Sequence, residues 1–368
     1  MKYLYIIIIG ILTLCSSCIE PPLHLPDEDI PEVELMLEVT MDVDIDAAVQ
    51  TEWYYGWDEQ DSVIFGDLSY VEPTSFQIRR YYTGDSAYAA HQHVLSDLIN
   101  GKSYRTSYEW GYWDLLLWND IKTIDNIQSL RFNEQLDYVT ATTGQTTAAT
   151  RYQGTRQTRS YYQPELLYSA YSQGLEIDRD LKGFTYDAER NVYYKQLNVT
   201  LHPLTYIYLT QVIIHNNRGR ITGVDGNGNF SGMAQSVNLN TGVTGSEPIT
   251  VHYYVRFKNG CSKKGESVDI AGGRLITFGT CNVNNLTATK ADDADARHYM
   301  DVNFQFSNGN DSTLVFDITD QVRQKLRGGV ITVELDADTL KIPKRKGGSG
   351  FDAVVKDFED GGTHEFEM

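Results

Sequence analysis

A strict alternation of apolar and polar residues begins at position 33. Val33, Leu35, Leu37, Val39, Met41, Val43 and Ile45 fall on one side. Glu34, Met36, Glu38, Thr40, Asp42, Asp44 and Asp46 fall on the other. Period two marks a strand with one face in a core. The acidic face reads as solvated, because carboxylates spread along a strand do not converge on one ion as loop ligands do. Strand-like runs follow at 62–65, 75–82, 103–110, 112–118 and 128–132, parted by turn residues such as Thr83-Gly84-Asp85 and Asn100-Gly101. Residues 140–160 are rich in Thr, Gln and Arg without apolar period, and read as a long exposed loop. Over 163–174 the spacing predicts a helix. Pro164 suits a first turn, Leu166, Leu167, Ala170 and Tyr171 share a face, and Gly174 ends it. Strand spacing resumes at 192–201, 204–215, 220–224, 249–257, 275–278, 300–306, 313–318 and 330–335. A second short helix is expected at 319–327, with Thr319 as N-cap and Gly328 past its end. Many short strands and one or two short helices predict an all-β protein, and 368 residues suffice for two tandem β-sandwich domains. Charged stretches around Asp178-Arg179-Asp180 and Asp187-Ala188-Glu189-Arg190 place the boundary near 185, giving sandwiches over 33–185 and 186–368.

The residues before 33 follow different rules. Lys2 precedes an apolar run over 3–14, which is too short to span a bilayer as a helix and reads as a signal sequence. Leu14-Cys15-Ser16-Ser17-Cys18 resembles a bacterial lipobox. Cys18 follows the small Ser17, whereas Cys15 follows the bulky Leu14, so Cys18 is the expected lipid-bearing N-terminus after removal of a signal peptide over 1–17. Several acyl chains together anchor stably, where one is marginal. Ile19 stands where an inner-membrane retention signal would carry Asp, which favours the outer membrane. Residues 18–32 form the lipidated terminus and tether: 19–32 hold four prolines and five acids and cannot pack.

Charge narrows the partners. The chain carries 31 basic and 50 acidic residues, net −19. The interval 3–78 holds 16 acids and no Lys or Arg. Without a basic stripe the chain has no footprint for nucleic acid. Lys344-Arg345-Lys346, beside Gly347-Gly348-Ser349-Gly350, reads as a solvated loop. Cys261 and Cys281 remain after the first two cysteines are assigned to the leader and the lipid. In an exported protein they permit one disulfide or stand as separate thiols. Their spacing does not make a zinc set.

No catalytic constellation emerges. The chain has no GxSxG elbow, HExxH, P-loop or GxGxxG. Asp225-Gly226-Asn227-Gly228-Asn229 imitates a calcium loop but has Phe230 at position six and Ser236 at position twelve, so it reads as a turn. His91 and His93 have no third ligand in sight and read as solvent-facing. The expectation is a non-enzyme without cofactor or metal. Aromatics are the remaining signal, with 25 Tyr, 13 Phe and 5 Trp. In 112–118 the alternation sends Trp113, Leu115 and Leu117 to one face, marking Trp113 as core. Trp53, Tyr54, Tyr55 and Trp57 lack such a pattern. They are either core or a platform on which the C–H faces of a polysaccharide stack, which makes a surface glycan-binding lipoprotein the alternative function.

Several longer motifs carry a resemblance. They are Gly111-Tyr112-Trp113-Asp114-Leu115-Leu116-Leu117-Trp118-Asn119, then Leu201-His202-Pro203-Leu204-Thr205-Tyr206. Phe230-Ser231-Gly232-Met233-Ala234 with Asn238-Leu239-Asn240-Thr241-Gly242 follow, and near the end stand 316–322 and 347–355. Together with the lipobox, the proline-rich tether and the acidic first strand, these resemble the fimbrillin-A-associated anchor and accessory lipoproteins of anaerobic Gram-negative bacteria. The resemblance implies two transthyretin-like β-sandwiches, lipid attachment to the outer membrane with surface display, and a place at the base or tip of a pilus. It also implies pilus subunits as partners, joined by β-strand complementation, in which one subunit donates a strand to an incomplete sandwich. In stalk subunits of such pili a trypsin-like protease cuts after Arg or Lys in the N-terminal segment. Here no Arg or Lys occurs between Ile19 and Ile78, which favours a permanently anchored subunit.

Overall fold

The computed structural model describes residues 32–41, 70–121, 128–131, 139–149, 159–287, 296–343, 351–355 and 366–367. Among these the chain is almost wholly β. The first strands are β1 (Glu32–Met41), β2 (Ser75–Gly84), β3 (His93–Asn100), β4 (Ser103–Ser107), β5 (Gly111–Asn119), β6 (Gln128–Arg131), β7 (Thr140–Thr143) and β8 (Gln145–Ala149). Next come β9 (Arg159–Tyr161), β10 (Tyr168–Ile177), β11 (Thr185–Asp187), β12 (Val192–Pro203), β13 (Tyr206–His215), β14 (Ile221–Ala234), β15 (Ser236–Asn238) and β16 (Pro248–Tyr254). The last are β17 (Arg256–Lys263), β18 (Glu266–Thr277), β19 (Tyr299–Phe306), β20 (Asp311–Asp317), β21 (Gly329–Asp336), β22 (Phe351–Val355) and β23 (Phe366–Glu367). One helix, α1 (Thr319–Gln324), lies between β20 and β21.

The N-terminal half folds one path of strands, β3-β2-β5-β10-β12-β1-β4, into two facing layers. Its hinge is slight: β10 meets β12 only at Tyr168 with Pro203 and Ser169 with His202. Alternating residues from both layers fill the space between. Val33, Leu35, Leu37 and Val39 of β1 meet Phe76 and Ile78 of β2 and Trp113, Leu115 and Leu117 of β5 in one apolar cluster. Trp113 is fully buried, as its alternation predicts. The expected boundary near 185 falls inside this sandwich, because β11 and β12 both belong to it and β12 runs to Pro203.

The second sandwich faces the sheet β17-β18-β13-β21 with the sheet β23-β22-β20-β19-β14-β16-β9-β8. Its core joins Tyr208, Val212 and Ile214 of β13 to Phe230, Val251, Tyr253, Val302, Phe304 and Phe316 from the opposite layer. β13 reads as a continuous apolar run because both of its faces are covered. Its outer face packs Ile207, Leu209 and Ile213 against Leu166 and Tyr70. The sandwiches are further joined by a cluster in which Tyr81, Leu116 and Trp118 meet Val139, Leu167, Leu204, Val237, Leu239 and Phe278.

That second layer of packing explains the main departures from the sequence reading. Residues 163–174 are not helical; β10 is an extended strand. Leu167 and Tyr171 serve the inter-sandwich cluster while Tyr168 and Ala170 serve the inner core. A strand with two apolar faces therefore imitates a helical spacing. Gly174 sits at a bulge between Ser172 and Leu175 with φ 67°, and its N–H donates to Asp114 Oδ1 at 2.8 Å. Within the expected loop 140–160, strands β7, β8 and β9 pair with β6, β15 and β16. They are built from small residues: Ala141, Thr143, Thr146 and Ser160 are buried, and the Thr146 and Ser160 hydroxyls bond at 3.1 Å. The short helix is present but opens at Ile318 without a side-chain cap. The Thr319 hydroxyl instead accepts the His298 N–H at 3.0 Å. Asp225-Gly226-Asn227 is a bulge within β14 rather than a turn between strands. The thiols of Cys261 and Cys281 are not bridged. Cys261 packs under β13, and Cys281 packs against the inter-sandwich cluster.

Candidate functional site

The N-terminal sandwich presents the features on which assembly would turn, beginning with how β1 is held. β1 pairs parallel with β12 along its whole length, from Glu32 with Val192 to Met41 with Leu201, and antiparallel with β4 on its other side. It thus lies inside its sheet although it is the first strand of the fold. Its apolar face is in the core, as the alternation predicts. Its acidic face departs from the expectation of a solvated surface at Glu34. Glu34 is only 7% exposed. Its carboxylate accepts from Nε of Arg105 and from Nη1 and Nη2 of Arg190, the latter at 3.1 and 3.2 Å. The Arg105 guanidinium lies 4.9 Å over the Tyr194 ring and 3.7 Å from Asp187. Ser107 donates to Glu32 at 2.7 Å. A buried carboxylate is tolerated only when paired and hydrogen-bonded, so these arginines make Glu34 a cross-brace from β1 to β4 and to the β11–β12 turn.

The opposite end of the path is open. Among the described residues β3 pairs with β2 alone. Val94 (42%), Leu95 (39%) and Leu98 (53%) stand exposed on it, three of the eight large apolar or aromatic side chains exposed among the described residues. The sequence reading assigned no strand here, because His93–Asn100 has no buried alternation to announce it. What fixes β3 is polar. Arg80 of β2, itself 5% exposed, donates to Asp97 at 2.7 Å and to the Ser107 carbonyl at 3.1 Å. Tyr104 of β4 donates to the same Asp97 oxygen at 2.5 Å. Burial foremost, then the hydrogen bond to Asp97, pushes the Tyr104 hydroxyl up to about 12. The edge is therefore held firmly on one side and offers backbone N–H and C=O groups on the other, an arrangement open to strand addition.

Other residues singled out from sequence have structural surroundings. His91 bonds Asp114 at 3.2 Å and lies 4.7 Å from the Tyr81 ring, while His93 lies 3.6 Å from Glu109 and stacks on Tyr82 at 4.9 Å. His91 is largely covered while His93 remains partly open to solvent, and the two point to different carboxylates. Among the described residues no group of three or more His, Cys, Asp or Glu is placed to hold a metal ion. Cys18, the tether, and Trp53, Tyr54, Tyr55 and Trp57 lie outside the described residues.

No protein-family model matches the chain, and no curated protein matches it. Solved structures do resemble it. A chain described as a proposed adhesin, from Bacteroides ovatus, is 12% identical, with 87% of this chain and 99% of that one covered and a TM-score of 0.48. The fimbrial anchor protein Mfa2 from Porphyromonas gingivalis is 12% identical over 82% of this chain and 90% of that chain, TM-score 0.43. The tip fimbrial protein Mfa3 from the same organism, with C-terminal truncation, is 10% identical over 92% and 99%, TM-score 0.34. At such identities a neighbour's role does not transfer, and the functional reading rests on this chain's own residues.

Proposed function

We propose that the chain is a non-catalytic lipoprotein of the outer membrane, attached through Cys18 and displayed at the cell surface, where it serves as a fimbrial anchor or accessory subunit in adhesion. The observation that carries this reading is the contrast between the two ends of the N-terminal sheet path. β1, which follows the tether directly, is locked between β12 and β4 by Glu34, and no Lys or Arg lies between Ile19 and Ile78 at which a trypsin-like protease could remove it. β3 at the far end has, among the described residues, no partner on its outer side and carries three exposed apolar side chains. A chain that keeps its first strand and offers an edge suits a subunit that stays on the membrane and receives a strand from a neighbour. Its motifs at 111–119, 201–206, 230–242 and 316–322 resemble those of fimbrial anchor and accessory lipoproteins, which is consistent with this role.

The test is capture of the affinity-tagged full chain from its native host, run unboiled and boiled, beside a Leu98→Lys variant. A heat-labile ladder containing another exported β-sandwich protein, lost in Leu98→Lys, is the expected result. A ladder that persists in the variant moves the acceptor away from β3. A single band in both lanes overturns the assembly role. Retention of a Cys18→Ala variant in the membrane fraction after a carbonate wash would sink the lipid anchor.

A further inference from the structure

A cleft of about 480 Å³ opens at the end of the N-terminal sandwich, beside the start of β1. Glu32, Tyr82, Asp85, Tyr108, Glu109, Trp110 and Arg179 contribute to its walls. The volume falls in the range of small-ligand sites. Its aromatic wall is prebuilt. The Tyr82 hydroxyl donates to the Trp110 carbonyl at 2.7 Å, and the Tyr82 ring stacks on Trp113 at 4.9 Å and on His93 at 4.9 Å. Tyr108 meets Trp113 edge-on at 5.1 Å. Gly111 lets the chain pass here: its φ is +125°, and a Cβ would lie 2.6 Å from the Gly84 carbonyl oxygen and 3.0 Å from the Tyr82 ring. Only glycine combines that backbone conformation with that approach, and the result fixes Trp110, only part-buried, at the cleft.

Charged groups converge on the same place. Burial first, then the neighbouring Glu109 and Asp85 carboxylates, hold the Tyr82 hydroxyl above its ordinary value, with Arg179 opposing. Among the described residues neither Asp85 nor Arg179 has an ion-pair or hydrogen-bond partner of its own side chain.

We propose that this cleft is a saccharide subsite that binds a neutral pyranose, with Trp110 as the stacking surface, Tyr82 as the support that holds the Trp110 carbonyl, and Asp85, Glu109 and Arg179 as the hydroxyl-binding rim. The donor and acceptor balance selects this class. A hydroxyl both donates and accepts, so one ring can satisfy the carboxylates and the guanidinium together. An ammonium ligand only donates: the three carboxylates would attract it, but it would leave the Arg179 guanidinium without an acceptor. A phosphate or a sialic acid only accepts at its anionic group and would face Glu32, Asp85 and Glu109. A wholly apolar ligand would strip water from all four charges without replacing it. The apolar C–H face of a pyranose matches the aromatic wall, whose rings prefer such edge contacts. The proposal draws on none of Trp53, Tyr54, Tyr55 and Trp57, and it does not depend on how the protein assembles.

The experiment is saturation-transfer NMR on the purified full chain with methyl β-galactopyranoside, methyl α-mannopyranoside and methyl β-N-acetylglucosaminide, with 3′-sialyllactose and choline as charged probes. Affinities would then be measured by titration. At least one neutral probe is expected to bind, with a loss of about tenfold in Trp110→Ala, the equivalent of about 1.4 kcal/mol for one stacking contact. Arg179→Ala, a change on an exposed side chain that leaves the core untouched, should weaken binding in the same direction and keeps the test decisive if Trp110→Ala fails to fold. Tyr186→Ala, at an exposed aromatic stacked on Tyr193 elsewhere, should leave binding unchanged. Absence of binding by every neutral probe overturns the proposal. So does binding confined to the charged probes, or neutral binding that survives both Trp110→Ala and Arg179→Ala.

Discussion

Glu34 offers the sharpest test of how β1 is held. In Glu34→Ala the backbone ladder to β12 and β4 remains, and only the cross-brace is lost. Its size can be worked from the surroundings. A hydrogen bond to a charged group contributes about 1.5–3 kcal/mol when buried, and Glu34 is buried. Arg190, however, is 47% exposed at its side chain, so its pair belongs with surface bridges worth about 0–1 kcal/mol. Arg105 is 26% exposed and keeps Asp187 and Tyr194 after the substitution, which places its loss near the lower end of the buried range. Together the two give about 1.5–2.5 kcal/mol. If β1 opens locally, that is a factor of roughly 10–70 in the opening equilibrium. Hydrogen exchange read by mass spectrometry would compare a peptide over 32–41 with one over 206–215, where β13 is buried on both faces. Protection should fall by that factor in the first and hardly at all in the second. Glu34→Gln, which keeps one acceptor oxygen but removes the charge and turns the other position into a donor, should fall between. Unchanged protection in 32–41, or an equal drop in both peptides, would refute the idea that Glu34 braces β1 specifically.

Limited trypsin digestion should leave the stretch from Ile19 to Ile78 uncut, since the next basic residue after Lys2 is Arg79; N-terminal sequencing that finds an early cut inside it would show another enzyme at work. Tyr70 and Tyr104 are both pushed up to about 12 from 10.0, first by burial. Above pH 10 the unfolded chain sheds these protons while the folded chain keeps them, so their contribution is full below pH 10 and is lost towards pH 12. A titration followed at 295 nm should show late ionisation, with the Tyr104 share absent in Tyr104→Phe; phenols that all ionise near 10 in the folded protein would contradict the burial. Burial opposes ionisation of Glu334, yet hydrogen bonds from His215, at 2.5 Å, and from Lys263 hold it below 4.5. Its contribution is therefore present above pH 4.5 and lost as pH falls through the folded value. The urea midpoint should drop less on acidification in Glu334→Gln than in the unaltered chain, and equal drops would remove Glu334 from the acid response.

Legibility in the sequence divides along a physical line. Where one face of a strand meets the core and the other meets water, alternation is visible. β1 is readable for that reason; β5 is legible as a strand, with Trp113 inside, although both of its faces are buried. Where the second face meets another sandwich, alternation disappears. β10 then looked helical, because Leu166, Leu167, Ala170 and Tyr171 are all apolar for two separate reasons. Where a half-buried strand is built from threonine and alanine, as in β7, hydropathy carries no signal, and the pairing depends on a partner far along the chain, β15. Glu34 was misjudged on the same ground: nothing local tells an acid that faces water from one that faces Arg105 and Arg190, which are 71 and 156 residues away.

The inter-sandwich contact bears on function as well as on legibility. Tyr81, Leu116 and Trp118 lie on the outer face of β2 and β5, and there they are covered by residues of the second half such as Val237, Leu239 and Phe278. β3 continues the same layer one strand further out, where Val94 and Leu98 stand exposed beside β2. An apolar face covered over its inner strands and exposed at its last strand is a surface on which an added strand gains both backbone hydrogen bonds and apolar burial. Val94 and Leu98 are already about half covered, so burying the remainder, at about half of 1.5–3 kcal/mol each, would add roughly 1.5–3 kcal/mol to whatever the new ladder supplies. A charged Leu98→Lys edge forfeits about half of that apolar term while leaving the outward backbone groups available. Partner loss in that variant would therefore separate recognition through side chains from mere availability of an edge.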